Sequence, residues 1–265
     1  ITVDPESMLV FSPSHFTWMD TNYPAGTPRQ GYPVEIQALW FAALRFLSEM
    51  IGGTAAGEWR RRSLQVAASI SKYYVLKDQD YLSDCLHCAP GVPASKAVAD
   101  DHLRPNQLYA LTLGAFTDHH RSMLILDACS KLLIPGAIRS LADQKTEYPL
   151  PIYASSGALL NDPKHPYWGR YEGDEDTRRK PAYHNGTAWT WQFPAYCEAY
   201  YMIYGKPGRR TARSLLSSCS LIMNGGCISQ PAEILDGDYP HTQRGCGAQA
   251  WGISEFYRVW KLLHG

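Results

Sequence analysis

Apolar side chains recur at helical spacing along most of this chain, and that periodicity constrains its fold more than any other feature. The clearest stretch opens at Pro33 and presents a wide apolar face until Gly52. Helices are predicted over 33–51, 58–76, 104–117, 119–133, 135–143, 187–204, 207–223 and 247–262, and Pro194 is expected to kink or begin a helix. Strand signals are poor, with only residues 149–154 read as a short extended piece. The periodicity therefore predicts an all-α fold.

The connections between these helices are unusually long. Segments 11–32, 77–103, 151–186 and 224–246 are rich in Gly, Pro, Asp and Tyr. Links of this length are uncommon in a compact helical domain unless they carry function. Because they fall at alternate helix joints, they predict antiparallel helix pairs arranged around an axis, with a cleft at one end.

The composition narrows the class of partner. With 265 residues the chain has enough length for one sizeable core, so we expect one domain over 1–265, or at most two. Lys plus Arg and Asp plus Glu both number 25, and a net charge of zero provides no field to attract nucleic acid or an anionic membrane. The 8 Trp and 17 Tyr suit a cleft for a neutral ligand as well as a core.

Cysteine usage and hydropathy favour a cytoplasmic location. The 7 Cys are odd in number and scattered through helical-looking segments, which is typical of reduced, buried thiols. No run of about 18 apolar residues is present, so no membrane span is expected. Cys85 and Cys88 form a C-x-x-C pair. A zinc site there would need two more ligands, for which His87 and His102 are nearby candidates, and ordinary loop cysteines are the alternative.

Two acidic motifs carry the candidate chemistry. In the first, Trp18 precedes Asp20 by two residues, and an aromatic ring beside a carboxylate can stack on a sugar while the acid reaches the glycosidic oxygen. The second begins at Glu233, where a general base needs only a carboxylate facing a water across the cleft. Asp236 and Asp238 are expected to cap turns.

Other motifs supply side chains whose roles stay open at this point. Glu35 lies in the first turn of its helix, where the helix dipole favours a negative charge, so a dipole role and a substrate contact are equally good interpretations. Arg104 and Asn106 either bond sugar hydroxyls or brace the loop beneath them. A Tyr-His-Asn-Gly turn opens a helix that carries Trp189 and Trp191 on different sides, one toward the cleft and one toward the core.

Taken together, these motifs resemble the glucosidase region of glycogen debranching enzymes and their bacterial and archaeal relatives, the amylo-1,6-glucosidases. Five blocks match in the family's order: Thr17–Asp20, Thr27–Ile36, Leu103–Gln107, Tyr183–Trp189 and Glu233–Trp251. They span nearly the whole chain, and an ordered match of five blocks is far more specific than any one block.

The resemblance implies both a fold and a chemistry. The fold is expected to be an (α/α)6 toroid with the long loops around its active site. The activity is expected to be hydrolysis of α-1,6-linked glucose with inversion, with Asp20 as general acid and Glu233 as general base. Substrate contacts are implied for Trp18, Arg29, Glu35, Arg104, Asn106, His184, Trp189 and Gln249. Neither a metal nor an organic cofactor is implied.

A complete toroid has twelve helices, and about eight are predicted here. The resemblance therefore implies that a segment before Ile1, or a second polypeptide, completes the ring. The expected partner is an α-glucan or oligosaccharide, with neither nucleic acid nor membrane. Two alternatives stay open: a trehalase-like or oligosaccharide-trimming glucosidase on the same fold, and a non-catalytic glucan-binding fragment.

Overall fold

The computed structural model describes residues 1–21 and 26–265. The helices in this part of the chain are α1 (Val34–Ile51), α2 (Gly53–Tyr73), α3 (Leu108–Thr112), α4 (His119–Ser130), α5 (Lys180–Tyr183), α6 (Phe193–Ser217) and α7 (Ala250–His264). Short 3₁₀ turns cover Ala94–Lys96, Pro105–Gln107 and Ser218–Leu221, and a π-helical turn covers Glu175–Arg179. The longest helices, α1, α2 and α6, have 18, 21 and 25 residues and frame the core.

Short strands accompany the helices. They are β1 (Thr2–Val3), β2 (Val10–Phe11), β3 (Gly31–Pro33), β4 (Cys85–His87), β5 (Val98–Ala99), β6 (Leu133–Ile134), β7 (Ala137–Arg139), β8 (Ala188–Trp189), β9 (Ile234–Leu235) and β10 (Gln243–Arg244). Within the described residues they form three antiparallel sheets, with strand orders β1-β2, β3-β4-β5 and β6-β7-β8-β9-β10.

The prediction of an all-α (α/α)6 toroid is wrong. The chain is mixed α and β, with 44% helix and 11% strand in three sheets. Strands of two or three residues are too short to produce the alternating pattern by which a strand is recognised in a sequence. Most of them lie in or beside the four long connections, where buried backbone N–H and C=O groups need hydrogen-bond partners and find them across a sheet.

One predicted helix is absent and another begins later than predicted, both for local reasons. Residues 135–143 contribute β7 to a hairpin, because Pro135-Gly136 is a turn dipeptide between β6 and β7. Residues 187–192 contain β8, so the helix expected from 187 begins only at Phe193. Pro194 lies in the first turn of α6, where a missing N–H costs no intrahelical bond, and it begins this helix as expected. The predicted helices over 33–51, 58–76, 119–133 and 247–262 are confirmed within a few residues at most ends.

The core lies between the helices and the β3-β4-β5 sheet. Val34 and Leu44 of α1 pack with Ile70 of α2 and Phe193 of α6 in one cluster of buried side chains. Burying an aliphatic or phenylalanine side chain of this size contributes about 1.5–3 kcal/mol. Of the helices in residues 1–21 and 26–265, none combines the length and apolar character needed to cross a bilayer.

The five-stranded sheet brings distant parts of the chain together. β8 pairs antiparallel with β9, with Trp189 opposite Ile234. Glu233 therefore lies directly beside Thr190, whose backbone N–H donates to the Glu233 carbonyl at 3.3 Å. This register therefore fixes the position of Glu233 at the end of β9.

Candidate active site

Glu233 is held tightly at the start of β9. Its backbone N–H donates to the carbonyl of Cys246 at 2.8 Å. Its side chain accepts one hydrogen bond on each oxygen: Oε1 from the Tyr183 hydroxyl, and Oε2 from the backbone N–H of Cys246 at 2.8 Å. The residue is 8% exposed, so most of it is shielded from solvent.

Glu233 has no cationic partner among the described residues. The contrast is Glu35, which is also buried but lies 2.6 Å from the Arg29 guanidinium. Burying an unpaired carboxylate is unfavourable, because the charged form loses hydration without a compensating ion pair. A buried acid of this kind is a candidate for chemistry more than for stability.

Asp20 is close enough to Tyr183 for its charge to act on that phenol. Its side chain is exposed, whereas the preceding Met19 is fully buried and anchors the segment. Burial and the bond to Glu233 raise the pKa of Tyr183 well above its ordinary value of 10.0, and the charge of Asp20 adds to that shift. The fields of both carboxylates therefore act on one phenol, although more than two hundred residues separate them in sequence.

Five rings form an aromatic cluster next to this phenol: Trp18, His184, Trp189, Trp191 and Trp251. Trp18 lies edge-on to His184, Trp189 and Trp191, with centroid distances of 5.2, 5.0 and 5.2 Å. Trp191 stacks on Trp251 at 4.6 Å with the planes 10° apart. Trp251 is 37% exposed, so the cluster reaches from the interior to solvent. Flat indole faces of this kind suit the apolar faces of a sugar ring.

His184 is a neutral member of this aromatic cluster. Burial lowers its pKa well below 6.5, and the charges of Arg104 and Arg29 lower it further. Its Nδ1 pairs with the Thr21 hydroxyl at 2.9 Å, and its ring stacks on Trp189 at 5.3 Å. A neutral imidazole can either donate or accept a hydrogen bond, which suits a contact with a hydroxyl group.

Arg29 and Glu35 bind each other. Both Arg29 Nη atoms donate to Glu35 at 2.6 Å, and Arg29 Nε donates to Asp84 at 2.6 Å. Asp84 also accepts from the Asn106 amide at 2.8 Å, and its Oδ2 lies 3.5 Å from Arg104 Nε. We call these five side chains the buried polar network. Arg29 and Glu35 are each only 3% exposed, and their charged groups bind other members of this network.

Arg104 and Asn106 make contacts typical of residues that brace loops. Arg104 donates to the carbonyls of Ser140 and His184 and to the Asn185 side chain, the first at 3.0 Å and the last at 2.8 Å. Burial lowers the pKa of Arg104 to about 10. The side-chain Oδ1 of Asn106 accepts from the Trp18 indole at 2.8 Å and thereby orients that ring.

Gln249 lies just before α7, half-buried, and its side-chain oxygen accepts from the Trp251 indole. Four residues of this region were not singled out as site residues from the sequence: Asp84, Tyr183, Trp191 and Trp251. Trp191 and Trp251 lie in or next to matched blocks, and the Trp189-x-Trp191 spacing was the available signal. Tyr183 also lies in a block, whereas Asp84 had no local signal.

The described residues hold no cluster of three His, Cys, Asp or Glu side chains suited to a metal ion. Cys85 and Cys88 are both free thiols: Cys85 is buried in β4, and the Cys88 thiol approaches the Val92 carbonyl at 3.7 Å. His87 and His102 share the carboxylate of Asp100. The pair therefore has the contacts of ordinary cysteines.

A cavity of about 540 Å³ lies elsewhere, between α6 and α7. Its walls include Arg213, Phe256, Tyr257 and Trp260. Neither Glu233 nor any member of the aromatic cluster lines it, so this cavity is separate from the candidate active site.

The chain is similar to known proteins in sequence and in structure. A sequence model described as amylo-alpha-1,6-glucosidase matches residues 1–258. A search among curated proteins finds no match. Among solved structures, the neutral trehalase of Saccharomyces cerevisiae is similar, with 11% identity and a TM-score of 0.54. That likeness covers 87% of this chain and 38% of the trehalase chain, so this chain spans well under half of the trehalase's length.

Proposed function

Because this chain belongs to the amylo-alpha-1,6-glucosidase family of glycoside hydrolases, we propose that it releases glucose from the α-1,6 branch points of glycogen-like glucans. The proposed reaction is a single inverting displacement. It requires two carboxyl groups and a water, and it uses neither a metal nor an organic cofactor.

In this mechanism Asp20 is the general acid and Glu233 the general base. Protonated Asp20 delivers its proton to the oxygen of the scissile bond. Ionised Glu233 removes a proton from a water that attacks the anomeric carbon from the opposite face. The two carboxyl groups must then be about 6.5–9.5 Å apart, since a spacing of about 5–5.5 Å would fit a retaining enzyme.

The observation that carries the proposal is the buried carboxylate of Glu233, which has no cationic partner among the described residues and accepts from the Tyr183 hydroxyl. The charge of exposed Asp20 acts on the same phenol. Asp20, as an exposed acid, can exchange its proton with solvent between turnovers.

The other implied site residues fall into two groups in this proposal. Trp18 and Trp251, with Gln249 beside them, form the wall against which the sugar ring lies. His184 and Trp189, each 1% exposed, support that wall from the interior. Arg29, Glu35, Arg104 and Asn106 hold that wall in place through the buried polar network.

The test is the pair of isosteric variants Asp20→Asn and Glu233→Gln, assayed for glucose release from a branched limit dextrin. Each is expected to lose about 10²–10⁴-fold in kcat, the usual contribution of a general acid or base. The matched control is Glu147→Gln, because Glu147 is an exposed acid that pairs with Lys164. Near-wild-type turnover in either site variant contradicts the assignment.

The stereochemistry and the linkage are tested separately. Release of β-glucose from an α-linked substrate, followed by proton NMR, is expected for inversion. A panel of limit dextrin, isomaltose and trehalose tests the substrate class. Faster cleavage of trehalose than of the α-1,6 substrates would overturn the proposed substrate and leave the roles of the carboxylates in place.

A further inference from the structure

Tyr183 is the only side chain among the described residues that bonds the Glu233 carboxylate. Its hydroxyl donates to Oε1, and the second oxygen is bonded by the Cys246 backbone. A side-chain substitution leaves a backbone N–H in place, so the bond from Cys246 cannot be removed in this way. Substitution of tyrosine by phenylalanine, in contrast, removes the hydroxyl and keeps the ring. The contact is therefore open to a clean test.

Tyr183 is itself fixed on several sides. Its carbonyl accepts from the Trp189 indole at 2.9 Å and from the Thr187 hydroxyl at 2.6 Å. Its ring packs against Tyr171, His184 and Trp189, with centroid distances of 5.3, 4.8 and 4.8 Å. A phenol restrained in this way can direct its hydroxyl at Glu233 without a further loss of side-chain entropy.

The hydroxyl acts as a donor, because burial and the bond to Glu233 raise the pKa of Tyr183 and keep it protonated. The other charged or titratable groups that influence it are Tyr171 and Asp20. A donor that faces a carboxylate stabilises its ionised form relative to its protonated form. Such a donor keeps a general base available at lower pH.

We infer that Tyr183 is a positioning residue for the hydrolysis proposed above: its hydroxyl orients the Glu233 carboxylate toward the attacking water and favours its ionised form. Tyr183 exchanges no proton with the substrate or the water in this role. The inference rests on the proposed function, because that proposal assigns Glu233 as the general base that Tyr183 positions.

The test compares two changes at this one atom. Tyr183→Phe removes the donor, so kcat is expected to fall about 10–100-fold, the loss that follows from a misplaced catalytic group. KM should stay within about twofold, because a group that acts on the base does not bind the ground state. The acid limb of the pH–activity profile is expected to move to higher pH, because the ionised carboxylate has lost a hydrogen bond.

Replacement of Tyr183 by 3-fluorotyrosine changes the same bond in the opposite sense. The fluorinated phenol is a stronger acid and a stronger donor, and it keeps the ring. The acid limb is therefore expected to move to lower pH. A purely structural tyrosine would move the limb in neither variant, and the fluorinated residue keeps the test open if Tyr183→Phe does not fold.

The matched control is Tyr167→Phe. The Tyr167 hydroxyl donates to Asp238 Oδ1 at 2.8 Å, so this substitution also breaks a tyrosine–carboxylate bond, but one outside the proposed site. Its pH profile and kcat are expected to match the wild type. An unchanged acid limb and kcat in Tyr183→Phe, or equal effects in Tyr167→Phe, would overturn the inference.

A measurement without turnover separates this inference from the proposed function. Carbon-13 labelled glutamate allows the Glu233 carboxyl to be titrated by NMR, with Glu233→Gln to assign the signal. Its titration midpoint is expected to rise in Tyr183→Phe, because the ionised carboxylate has lost a hydrogen bond. An inactive wild type would defeat the proposed function alone, whereas an unmoved midpoint would defeat the positioning role alone.

Discussion

At the scale of single residues, hydrogen-bond partners distinguish two kinds of buried acid. Glu35 pairs with Arg29, and Asp100 accepts from the side chains of His87 and His102. Both acids are bonded by basic side chains, which is typical of acids that hold a fold together. Glu233 has a phenol and a backbone amide instead. That difference supports a reactive role for Glu233.

Gly245 lies against the Glu233 carboxylate and leaves no room there for a side chain. A methyl group placed on Gly245 would lie 2.4 Å from Glu233 Oε2, and the backbone there has a φ of +69°. Gly245→Ala is therefore expected to displace the carboxylate and to lower kcat/KM by about 10²-fold, the effect of an ångström-scale misplacement. Steady-state kinetics on limit dextrin measures the loss.

Gly157→Ala is the matched control for strain. Gly157 has a φ of +83°, but a methyl group there meets nothing within 4 Å. Both variants should lose about 1–2 kcal/mol of unfolding free energy, because both place alanine in the left-handed region. Equal activity losses in the two variants would show that strain, and not contact with Glu233, limits Gly245.

The sequence alone identifies some of the candidate site residues. Asp20 and Glu233 stand in short acidic motifs beside aromatic or turn residues, so a local pattern identified them as candidates. Asp84 has no such pattern, because its role arises from Arg29 and Asn106, which are distant in sequence. A contact between residues that are distant in sequence produces no local pattern by which it could be recognised. The same reason explains why Tyr183 was described as part of a turn only.

At the scale of secondary-structure elements, length decided which predictions held. Helices α1 and α2 are long enough to repeat their apolar spacing over several turns, and both were predicted. Strand β8 has two residues, and its pairing with β7 and β9 depends on chain segments about fifty residues away on either side. Only tertiary pairing makes Ala188 and Trp189 a strand. This is why the three sheets were missed.

Helix α6 contains an internal break at Gly205. Alanine is expected to lower the unfolding free energy at this glycine and to raise it at a regular helical glycine, Gly57 of α2. Gly205 has φ 59° and ψ −147° inside α6, a conformation that is nearly restricted to glycine. Gly205→Ala is expected to lower the unfolding free energy by about 1–3 kcal/mol. Gly57 lies within α2, where a methyl group meets nothing within 4 Å, so Gly57→Ala should raise it by about 0.5–1 kcal/mol.

Urea denaturation followed by circular dichroism measures both changes. The slope of free energy against urea should stay constant, because neither variant alters the surface exposed on unfolding. If Gly205→Ala proves as stable as the wild type, the break in α6 does not depend on glycine.

At the scale of the whole molecule, the buried polar network joins segments that are far apart in sequence. Arg29 precedes β3, Glu35 begins α1, Asp84 precedes β4, and Arg104 and Asn106 lie ahead of α3. Through Asn106 the network also orients Trp18. The two arginines and the two acids balance in charge, which is the condition for burying so many ionised groups together.

Asp84 tests how far the molecule depends on this network. Asp84→Asn leaves two buried guanidinium groups with one carboxylate, so the unfolding free energy is expected to fall by about 3–5 kcal/mol. Glu58→Gln is the control, since Glu58 pairs with Arg62 on the surface and such a pair contributes about 0.3–0.5 kcal/mol. Thermal and urea unfolding measure both. A loss below about 1 kcal/mol for Asp84→Asn would show that the network is dispensable.

The tryptophans of the aromatic cluster allow ligand binding to be followed by intrinsic fluorescence. They are Trp18, Trp189, Trp191 and Trp251. Half of the molecule's 8 indoles are gathered where the ligand is proposed to lie, and Trp251 is the one that solvent reaches most readily. Their ultraviolet emission therefore depends largely on what occupies that place. Spectroscopy without any label can follow glucan association, even in a variant such as Glu233→Gln in which no bond is broken.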